Sequence, residues 1–285
     1  MILSQYGAAH RSDSMMKTAR IAGTPLELSL PESENMEDWA ISSGNTVDLN
    51  LVEEGLSLVA YSIGAFMGDG YSRYNAMPLG KGSWYTTGVE CMDRDIIERV
   101  QREFYIVSGK EYSIQTRLLK TGTRMYFVRA ASKTVFDFYN WFTTVKQLVP
   151  DEFFRAADEA KRDFIAGLFD TDGSVKVTET WNGNRTAKNP RWQLGFSSTV
   201  KAVAEGVASL LRLLGVKPGS IKETARGPYR TIYTMQPNMR SFIDSGCYFH
   251  CGRKAKKIQD YLNHVVSSEA MYAASVITDE DMVQA

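Results

Sequence analysis

Two apolar stretches that share one pattern of glycines and acids constrain the fold more than any other feature of the sequence. The stronger copy is Asp-Phe-Ile-Ala-Gly-Leu-Phe-Asp-Thr-Asp-Gly-Ser-Val at residues 163–175. The weaker copy is Val-Ala-Tyr-Ser-Ile-Gly-Ala-Phe-Met-Gly-Asp-Gly-Tyr at residues 59–71. Superposing the copies pairs Gly64 with Gly167. This similarity indicates an internal duplication of one structural unit.

Glycines inside these apolar runs predict close helix packing. A glycine within a helix costs roughly 1 kcal/mol relative to alanine, so Gly64, Gly68 and Gly167 together need a compensating contact. Gly64 and Gly68 are four residues apart, as are Gly167 and Thr171. Small residues at this spacing allow two helix backbones to approach closely. We therefore expect the two runs to form helices that pack copy against copy.

Each copy places an aspartate directly before the glycine at which we expect the helix to end. Asp69 precedes Gly70 and Asp172 precedes Gly173, and both glycines can adopt the left-handed conformation that ends many helices. Packed helices would bring the two acids side by side. Two carboxylates about 4 Å apart repel by roughly 4 kcal/mol at an effective dielectric near 20. Either a proton or a divalent cation must relieve this repulsion, and carboxylates suit magnesium, manganese or calcium.

At this point the residues carry a family resemblance. Residues 165–173, Ile-Ala-Gly-Leu-Phe-Asp-Thr-Asp-Gly, resemble the motif that names the LAGLIDADG homing endonucleases. Residues 62–70 resemble a divergent first copy, with Met67 at a position that often holds an acid. Their separation resembles that of the single-chain, two-repeat members. The resemblance implies a magnesium-dependent, site-specific double-strand DNA endonuclease that cuts a long asymmetric target and leaves 3′ overhangs. Mn²⁺ or Ca²⁺ would substitute for Mg²⁺ in binding.

The same resemblance assigns candidate metal ligands and catalytic lysines. Asp69 and Asp172 would hold the metal, with the carbonyl groups of Gly68 and Thr171 nearby. Phosphodiester hydrolysis also needs positive charge beside the scissile phosphate.

The lysines are chosen by the position of two segments. Residues 145–150, Val-Lys-Gln-Leu-Val-Pro, resemble the segment that follows the first repeat in intein-type members, which selects Lys146. Residues 252–257, Gly-Arg-Lys-Ala-Lys-Lys, resemble the corresponding segment after the second repeat, which selects Lys254. Arg253, Lys256 and Lys257 remain alternatives to Lys254.

Periodicity predicts the same order of elements in each half: helix, two strands, helix, two strands, helix. This order indicates an α+β fold with two antiparallel sheets, that is, two pseudo-symmetric αββαββα repeats. The resemblance adds that the motif helices pack at the centre and that the sheets form a DNA-binding saddle. We expect an N-terminal extension at 1–50, a first repeat at 51–150, a second repeat at 151–264 and an acidic C-terminal tail at 265–285. Within the second repeat, the last helix is predicted at about 254–265.

The distribution of charge fits a nucleic-acid partner better than the net charge does. The chain has 33 Lys/Arg and 33 Asp/Glu. Residues 1–55 hold 3 Lys/Arg and 9 Asp/Glu, and residues 265–285 hold no Lys/Arg and 4 Asp/Glu. Residues 56–264 therefore keep 30 basic and 20 acidic residues, a net charge of +10. We predict double-stranded DNA as the partner.

Candidate DNA-contacting residues are polar or basic residues of the predicted strands, because two antiparallel strands can enter the major groove. We expect them to lie on one face of each sheet. In the first repeat they are Arg73, Asn75, Gln115, Arg117 and Arg124. In the second repeat they are Lys176, Thr178, Arg191, Gln193, Lys222, Thr224 and Arg230.

Composition points away from membrane and secreted classes. The sequence has no apolar run of membrane-spanning length and no signal-peptide core at its N-terminus. Cys91, Cys247 and Cys251 form no disulfide framework. We expect a protein of the cytoplasm, nucleoid or organelle matrix that is not secreted and acts as a monomer with an internal pseudo-dimer.

Two other readings of the sequence stay open. One is the endonuclease domain of an intein, although a chain that begins with Met1 and ends Val-Gln-Ala lacks the residues expected of self-splicing. The other is a module of the same fold that binds nucleic acid without cleaving it, such as an intron maturase or a transcription regulator. Retention of both Asp69 and Asp172 favours cleavage.

Overall fold

The first half of the chain contains one αββαββα unit. The computed structural model describes residues 17–20, 27–30, 55–76, 83–181, 188–227 and 230–283. Strands β1 (Lys17–Arg20) and β2 (Glu27–Leu30) form an antiparallel hairpin that lies next to helices of this unit. The unit comprises α1 (Ala60–Asp69), β3 (Gly70–Ala76), β4 (Ser83–Cys91), α2 (Arg94–Ser108), β5 (Ile114–Leu118), β6 (Arg124–Ala130) and α3 (Lys133–Phe142).

The second half repeats this order and adds one long helix. A short helix α4 (Glu152–Arg155) leads into the unit. The unit comprises α5 (Asp158–Asp172), β7 (Gly173–Trp181), β8 (Lys188–Ser198), α6 (Lys201–Leu213), β9 (Lys222–Ala225), β10 (Thr231–Met235) and α7 (Met239–Asp244). Helix α8 (Gly252–Val283) follows.

The two four-stranded sheets have the same topology. Their strand orders are β3-β4-β6-β5 and β7-β8-β10-β9, and every neighbouring pair is antiparallel. Each sheet begins at the end of a motif helix, because β3 follows α1 and β7 follows α5 without an intervening loop. The predicted α+β fold of two pseudo-symmetric repeats is confirmed.

Helices α1 and α5 pack against each other through their glycines. A Cβ atom added to Gly64 would overlap the Phe164 carbonyl oxygen and lie 2.8 Å from the Leu168 nitrogen. A Cβ added to Gly167 would overlap the Tyr61 carbonyl oxygen and lie 2.8 Å from the nitrogen of Ala65. The two contacts mirror each other, since Tyr61 and Phe164 occupy equivalent places three residues before the glycines. The predicted copy-on-copy packing is confirmed.

Each half packs an amphipathic helix and aromatic side chains behind its sheet. Helix α2 buries one face, as its spacing predicts, with Ile96, Ile97, Val100 and Phe104 fully buried. In the second half, Phe169 at the end of α5 stacks on a phenylalanine of β8 with ring centroids 5.3 Å apart. Burial of side chains of this size is the main favourable term for folding. These cores fix the ends of α1 and α5 relative to the sheets.

The glycines that end α1 and α5 are not left-handed. Gly70 has φ −74° and ψ 155°, and Gly173 has φ −86° and ψ 161°, which is extended backbone. Added Cβ atoms would instead overlap the carbonyl oxygens of Phe66 and Phe169 in the preceding turn. Glycine is therefore required here by close contact, because the chain passes from helix to strand within a single residue.

Two other local predictions are corrected. Helical spacing over 94–107 predicts Asp93 as the cap of α2, but Asp93 makes no capping hydrogen bond and instead accepts two hydrogen bonds from Arg253, of 3.1 and 2.8 Å. The last helix, expected at about 254–265, runs from Gly252 to Val283. No glycine or proline interrupts the sequence between these two residues, so nothing stops the helix. In the described parts of the chain, no helix has the length and apolar character that crossing a bilayer requires.

Candidate active site

Four charged side chains meet where the two motif helices end. They are Asp69 at the end of α1, Asp172 at the end of α5, Lys146 from the turn after α3 and Lys254 from the first turn of α8. We call this set the acid–lysine cluster. The helix ends are close, since a Cβ on Gly68 would lie 3.4 Å from the Asp172 carboxyl carbon. The structure thus brings together all four residues that the sequence proposed for catalysis.

Burial is the main cause that opposes ionisation of the acids in the cluster. Burial between the helix ends raises the pKa of Asp69, and the positive charges of Lys146 and Lys254 lower it in part. Burial first, and then the charge of Asp69, raise the pKa of Asp172 to about 6, while the same lysines act against this. The two carboxylates therefore repel each other across the helix pair, as the sequence predicts.

Lys146 reaches the cluster from a turn of unusual backbone conformation. Thr144, Val145 and Lys146 have φ values of 45°, 53° and 66°, the left-handed region that non-glycine residues rarely adopt. The Thr143 hydroxyl accepts a hydrogen bond of 3.2 Å from the Lys146 backbone nitrogen. The Lys146 ammonium donates to the carbonyl oxygens of Gly68 at 2.7 Å and Gly70 at 2.9 Å. Lys146 thus spans the end of α1, and burial lowers its pKa.

Lys254 spans the end of α5 in a corresponding way. Its ammonium donates to the carbonyl oxygens of Phe169 at 2.9 Å, Asp170 at 2.6 Å and Gly173 at 2.7 Å. Gly173 is the counterpart of Gly70, so each lysine contacts the residue that begins a sheet. Lys254 is only 6% exposed, and burial lowers its pKa.

The donor set fits a hard divalent cation held by few protein ligands. In the described residues there is no group of three or more His, Cys, Asp or Glu able to hold a metal ion. Asp69 and Asp172 alone would supply carboxylate oxygens. Mg²⁺ characteristically uses one or two carboxylates together with water and substrate phosphate oxygens. The carbonyl oxygen of Gly68, one of the two predicted carbonyl ligands, accepts a hydrogen bond from the Lys146 ammonium. At Thr171, whose carbonyl is the other predicted ligand, the side-chain hydroxyl donates to the carbonyl oxygens of Gly167 and Leu168 within α5.

A third acid lies beside the cluster, and its charge acts on Lys254. Asp170 is 3% exposed, and its Oδ2 atom accepts hydrogen bonds from the Tyr61 hydroxyl at 2.8 Å and from the backbone nitrogens of His250 at 3.0 Å and Cys251 at 2.9 Å. Burial raises the pKa of Asp170 to about 6. Its Oδ1 atom is buried without a hydrogen-bond partner. Sequence reasoning gave Asp170 no role of its own.

A buried network connects the two halves on the far side of the motif helices. The Arg99 guanidinium lies 4.2 Å from the centroid of the Tyr61 ring, pairs with Glu103 at 3.0 Å and with Asp163, and donates to the Tyr248 hydroxyl at 2.7 Å. The first two partners belong to the first half and the last two to the second half. Arg99 therefore binds the halves together through charge-assisted hydrogen bonds.

Strand pairing shows which candidate DNA-contacting residues of the first sheet share a face. The register places Arg73 opposite Thr86, Gln115 opposite Phe127 and Arg117 opposite Met125. Phe127 of β6 also pairs with Glu90 of β4, which connects the register of β5 to that of β3. These pairings place four candidates at strand positions on one face: Arg73, Asn75, Gln115 and Arg117.

Arg124 does not share that face. It pairs with Leu118 and is one residue out of phase with Met125, so it lies on the side of the sheet that carries the buried Val128. Sequence reasoning missed two residues on the candidate face, Trp84, which is 52% exposed, and the exposed Arg129. Extending the alternation through β4 and β6 would have found both.

The second sheet agrees with the prediction at all but one position. Lys176 pairs with Gln193 and Thr178 with Arg191, and Lys222 pairs with Thr234 of β10. These pairs place six candidates on one face: Lys176, Thr178, Arg191, Gln193, Lys222 and Thr224. The opposite face carries Val175, Leu194, Phe196 and Met235, which are buried. Arg230 lies in the loop that precedes β10.

Comparison with known proteins agrees with this geometry. A family model described as LAGLIDADG-like domain matches residues 159–264. Residues 159–264 are similar to this family, and we call them the LAGLIDADG-like domain. A solved structure of the meganuclease I-SmaMI bound to uncleavable DNA is 14% identical, with a TM-score of 0.51 over 75% of this chain and 92% of that chain. A mutant of I-SmaMI gives the same identity and TM-score over 74% and 92%. The two solved structures share the fold.

A curated relative is the replicative DNA helicase DnaB of Mycobacterium intracellulare. It is 25% identical over 210 residues, which are 74% of this chain and 27% of the helicase. The chain therefore corresponds to about a quarter of the helicase's length.

The LAGLIDADG-like domain contains only half of the acid–lysine cluster. Asp172 and Lys254 lie within its limits, whereas Asp69 and Lys146 lie before it. The first half of the cluster is located by the internal duplication, through the reciprocal packing of Gly64 and Gly167. The LAGLIDADG-like domain also contains Asp170 and the six face-sharing candidates of the second sheet.

Proposed function

We propose that the protein is a site-specific double-strand DNA endonuclease that hydrolyses phosphodiesters with a divalent cation. The observation that carries the proposal is the duplicated pair of an acid and a lysine at the ends of two equivalent helices. Asp69 ends α1, whose end is spanned by Lys146, and Asp172 ends α5, whose end is spanned by Lys254; the charges of both lysines act on both acids. The two strands of a DNA duplex run in opposite directions, so two sites related by a pseudo-twofold match two scissile phosphates.

In each pair the acid and the lysine would have different roles in hydrolysis. Asp69 and Asp172 hold the cation, and Mg²⁺ is the ion that two carboxylates and phosphate oxygens best suit, with Mn²⁺ or Ca²⁺ able to replace it in binding. When bound, such an ion supplies Lewis-acid stabilisation and a more acidic water. Lys146 and Lys254 hold positive charge beside the phosphate, where negative charge increases in the transition state.

The sheets provide the surface on which DNA would lie. The face-sharing candidates of both sheets, with Trp84 and Arg129 added, form two polar and basic surfaces on the sheets that start at the cluster. Residues 56–264, which contain both sheets, carry a net charge of +10. Arg and Lys side chains neutralise phosphates, and Arg, Asn and Gln can also read base edges in the major groove. We infer a long asymmetric target, since the two surfaces differ in sequence.

Known proteins of the same fold support a DNA partner. I-SmaMI, whose structure was solved on a DNA target, has the fold of this chain. Within the proposed function we place a single chain acting as an internal pseudo-dimer in a nucleic-acid-containing compartment, with 3′ overhangs as products of cuts across the minor groove. We infer these features from the resemblance of the two motifs to those of the LAGLIDADG homing endonucleases.

One observation favours a particular origin for such a nuclease. The match to a replicative helicase covers 27% of the helicase and 74% of this chain. A nuclease element inserted within a host protein would give such a partial match. The endonuclease domain of an intein is therefore the second candidate, and it shares the chemistry proposed above.

The test uses a randomised double-stranded DNA library and the purified full chain. We expect selection for cleavage in Mg²⁺ to return one long asymmetric site, and plasmids carrying it to be linearised. Asp69→Asn with Asp172→Asn should retain binding in Ca²⁺ and lose cleavage. Affinity should fall steeply with salt, as phosphate contacts require. Tight, salt-dependent binding by the wild type without cleavage in Mg²⁺ or Mn²⁺ would instead identify a maturase-like or regulatory module.

A further inference from the structure

The carboxylate of Asp170 connects the end of α5 to the start of α8. Its Oδ2 atom accepts the backbone N–H groups of His250 and Cys251, the two residues that precede Gly252 at the start of α8. Lys254 follows within the first turn of α8. A negative charge at the start of a helix is stabilised by the helix dipole and by free N–H groups. The Asp170 side chain thus holds the segment that carries Lys254.

The return contact comes from Lys254 itself. Its ammonium donates to the backbone carbonyl of Asp170, and to those of Phe169 and Gly173 on either side. Asp170 therefore contacts the α8 segment twice, through its side chain at residues 250–251 and through its carbonyl at Lys254. The hydrogen bonds of Asp170 with the Cys251 nitrogen and with the Lys254 ammonium are buried, so water does not replace them at low cost.

The first half lacks this arrangement. Met67 occupies the position in α1 that Asp170 occupies in α5, and a thioether cannot accept two backbone N–H groups in this way. Lys146 is held by its left-handed turn and by the Thr143 hydroxyl instead. In addition, the Tyr61 hydroxyl of the first half donates to Asp170 at 2.8 Å. The acid that orders the second lysine is thus itself fixed by the first half.

We propose that Asp170 is a positioning residue for Lys254: its buried carboxylate fixes the start of α8 on the end of α5 and so holds the Lys254 ammonium in the acid–lysine cluster. This inference rests on the proposed function for its catalytic consequence. Asp170 does not touch the scissile phosphate and acts through Lys254. Its loss should affect one of the two strand cuts and spare the other.

The first experiment measures single-turnover cleavage of each strand separately, with the two strands of the selected target labelled differently. Lys254→Met identifies the strand that depends on Lys254. Asp170→Asn should slow that same strand by about a hundredfold, because a displacement of about 1 Å can cost that much. The other strand should keep its rate, so nicked DNA accumulates. The double variant of Asp170 and Lys254 should be no slower than Lys254→Met alone.

Equal slowing of both strands, or multiplicative losses in the double variant, would contradict the proposal. The matched control is Met67→Ala, which truncates the buried side chain at the equivalent position of α1. It should not slow the Lys254-dependent strand more than the other. If Asp170→Asn does not fold, Tyr61→Phe removes one hydrogen bond from Asp170 with little change in volume. It should shift the strand ratio in the same direction by a smaller factor.

The second experiment needs no DNA. Acylation of lysines in the folded full chain, followed by mass spectrometry, reports the accessibility of each amine. Lys254 should be protected in the wild type and label about tenfold faster in Asp170→Asn, because the loss of a charged hydrogen-bond acceptor weakens the contacts that hold the start of α8. Lys161, which is 9% exposed and paired with Asp158 at 3.0 Å, is the internal control and should not change.

The two experiments separate the two proposals. Unchanged protection of Lys254 in both Asp170→Asn and Tyr61→Phe would overturn the positioning role, whatever the cleavage data. Faster labelling of Lys254 in Asp170→Asn than in the wild type, together with a wild-type chain that never cuts DNA, would keep the positioning role and reject the nuclease. Simultaneous faster labelling of Lys161 would indicate general unfolding and would also count against a specific role for Asp170.

Discussion

The two halves share their central helix contact but place their buried acids at opposite ends of the motif helices. In the first half, Glu103 is 5% exposed and accepts a hydrogen bond of 2.7 Å from the Ser62 backbone nitrogen at the start of α1. In the second half, Asp170 lies near the end of α5. Counted from the N-caps of α2 and α6, Leu210 replaces Glu103 in the second half. The duplication has therefore kept the geometry of the helix contact. The buried acid of each half, which we call its polar anchor, differs: it is Glu103 in the first half and Asp170 in the second.

This difference teaches how one fold can hold two similar sites by different means. The helix contact is set by backbone atoms and tolerates no side chain, so it is identical in both halves. The anchors are side chains that satisfy free backbone N–H groups, and any buried acceptor of suitable reach can serve. We therefore expect equivalent substitutions in the two halves to have similar effects at the helix contact and different effects at the anchors.

The largest effect is expected from substitutions that test the symmetric contact. Gly64→Ala and Gly167→Ala should each lower the free energy of unfolding by about 4 kcal/mol, because the new methyl group meets backbone atoms that cannot move aside. Chemical denaturation measures both. The control is Gly252→Ala at the start of α8, where the new Cβ would lie 3.5 Å from the Asp95 Oδ2 atom, an ordinary van der Waals contact, so this substitution should cost little. A large difference between Gly64 and Gly167 would contradict the pseudo-twofold.

The next effect separates the two lysines. Lys254→Met and Lys146→Met should each slow one strand cut by about a hundredfold, since each removes a charge from one site. They should differ in stability, because Lys254 is almost fully buried and its loss removes one hydrogen bond from each of three backbone carbonyls. Strand-resolved kinetics and denaturation test the two statements. Loss of the same strand in both variants would contradict the assignment of one lysine to each site.

The sequence predicted the symmetric features better than the asymmetric ones. The glycines and the terminal aspartates are local patterns, so the packing of α1 on α5 and the meeting of Asp69 with Asp172 followed from spacing alone. The two lysines needed the family resemblance, because nothing local distinguishes Lys254 from Lys256 or Lys257. The structure makes that distinction through burial, since Lys254 is buried and Lys256 is exposed.

The asymmetric anchors could not be predicted for a physical reason. Asp170 binds backbone nitrogens 80 and 81 residues away, and backbone groups leave no trace in side-chain identity. Glu103 stands four residues after Arg99, which is the ordinary pattern of an exposed helical ion pair. Only the tertiary fold shows that this pair is buried.

The third prediction concerns the anchor of the first half. Burial raises the pKa of Glu103 from 4.5 to about 7, so the folded chain favours the protonated form. The stability contributed by this group is present below pH 4.5 and is lost as pH rises through about 7. Glu103→Gln removes this dependence. Its stability relative to the wild type should therefore rise by about 2 kcal/mol between pH 5 and pH 8. Leu210→Met serves as the control and should show no pH-dependent difference.

Denaturation curves at several pH values measure this change. A difference between Glu103→Gln and the wild type that stays constant with pH would show that Glu103 is ionised throughout and held by Arg99. A difference that falls as pH rises would mean that the folded state lowers the pKa of Glu103.

The smallest expected effect concerns backbone strain, which we compare between the turn that carries Lys146 and the helix that carries Lys254. Val145 has φ 53° and is 60% exposed, so its side chain gains little from packing while its conformation is strained. Left-handed backbone costs roughly 1–2 kcal/mol in a non-glycine residue, and glycine adopts it freely. Val145→Gly should therefore raise the free energy of unfolding by up to about 1 kcal/mol, after the larger entropy of the unfolded glycine chain is counted.

The matched substitution in α8 should have the opposite sign. Lys256 is exposed and helical, so Lys256→Gly should lower the free energy of unfolding by about 1 kcal/mol. Denaturation of the two variants side by side compares the backbones directly. Destabilisation by Val145→Gly would mean that the turn is not strained and that Val145 contributes packing. Opposite signs would establish that Lys146 is held in place against a backbone cost, whereas Lys254 is held by a helix that favours its position.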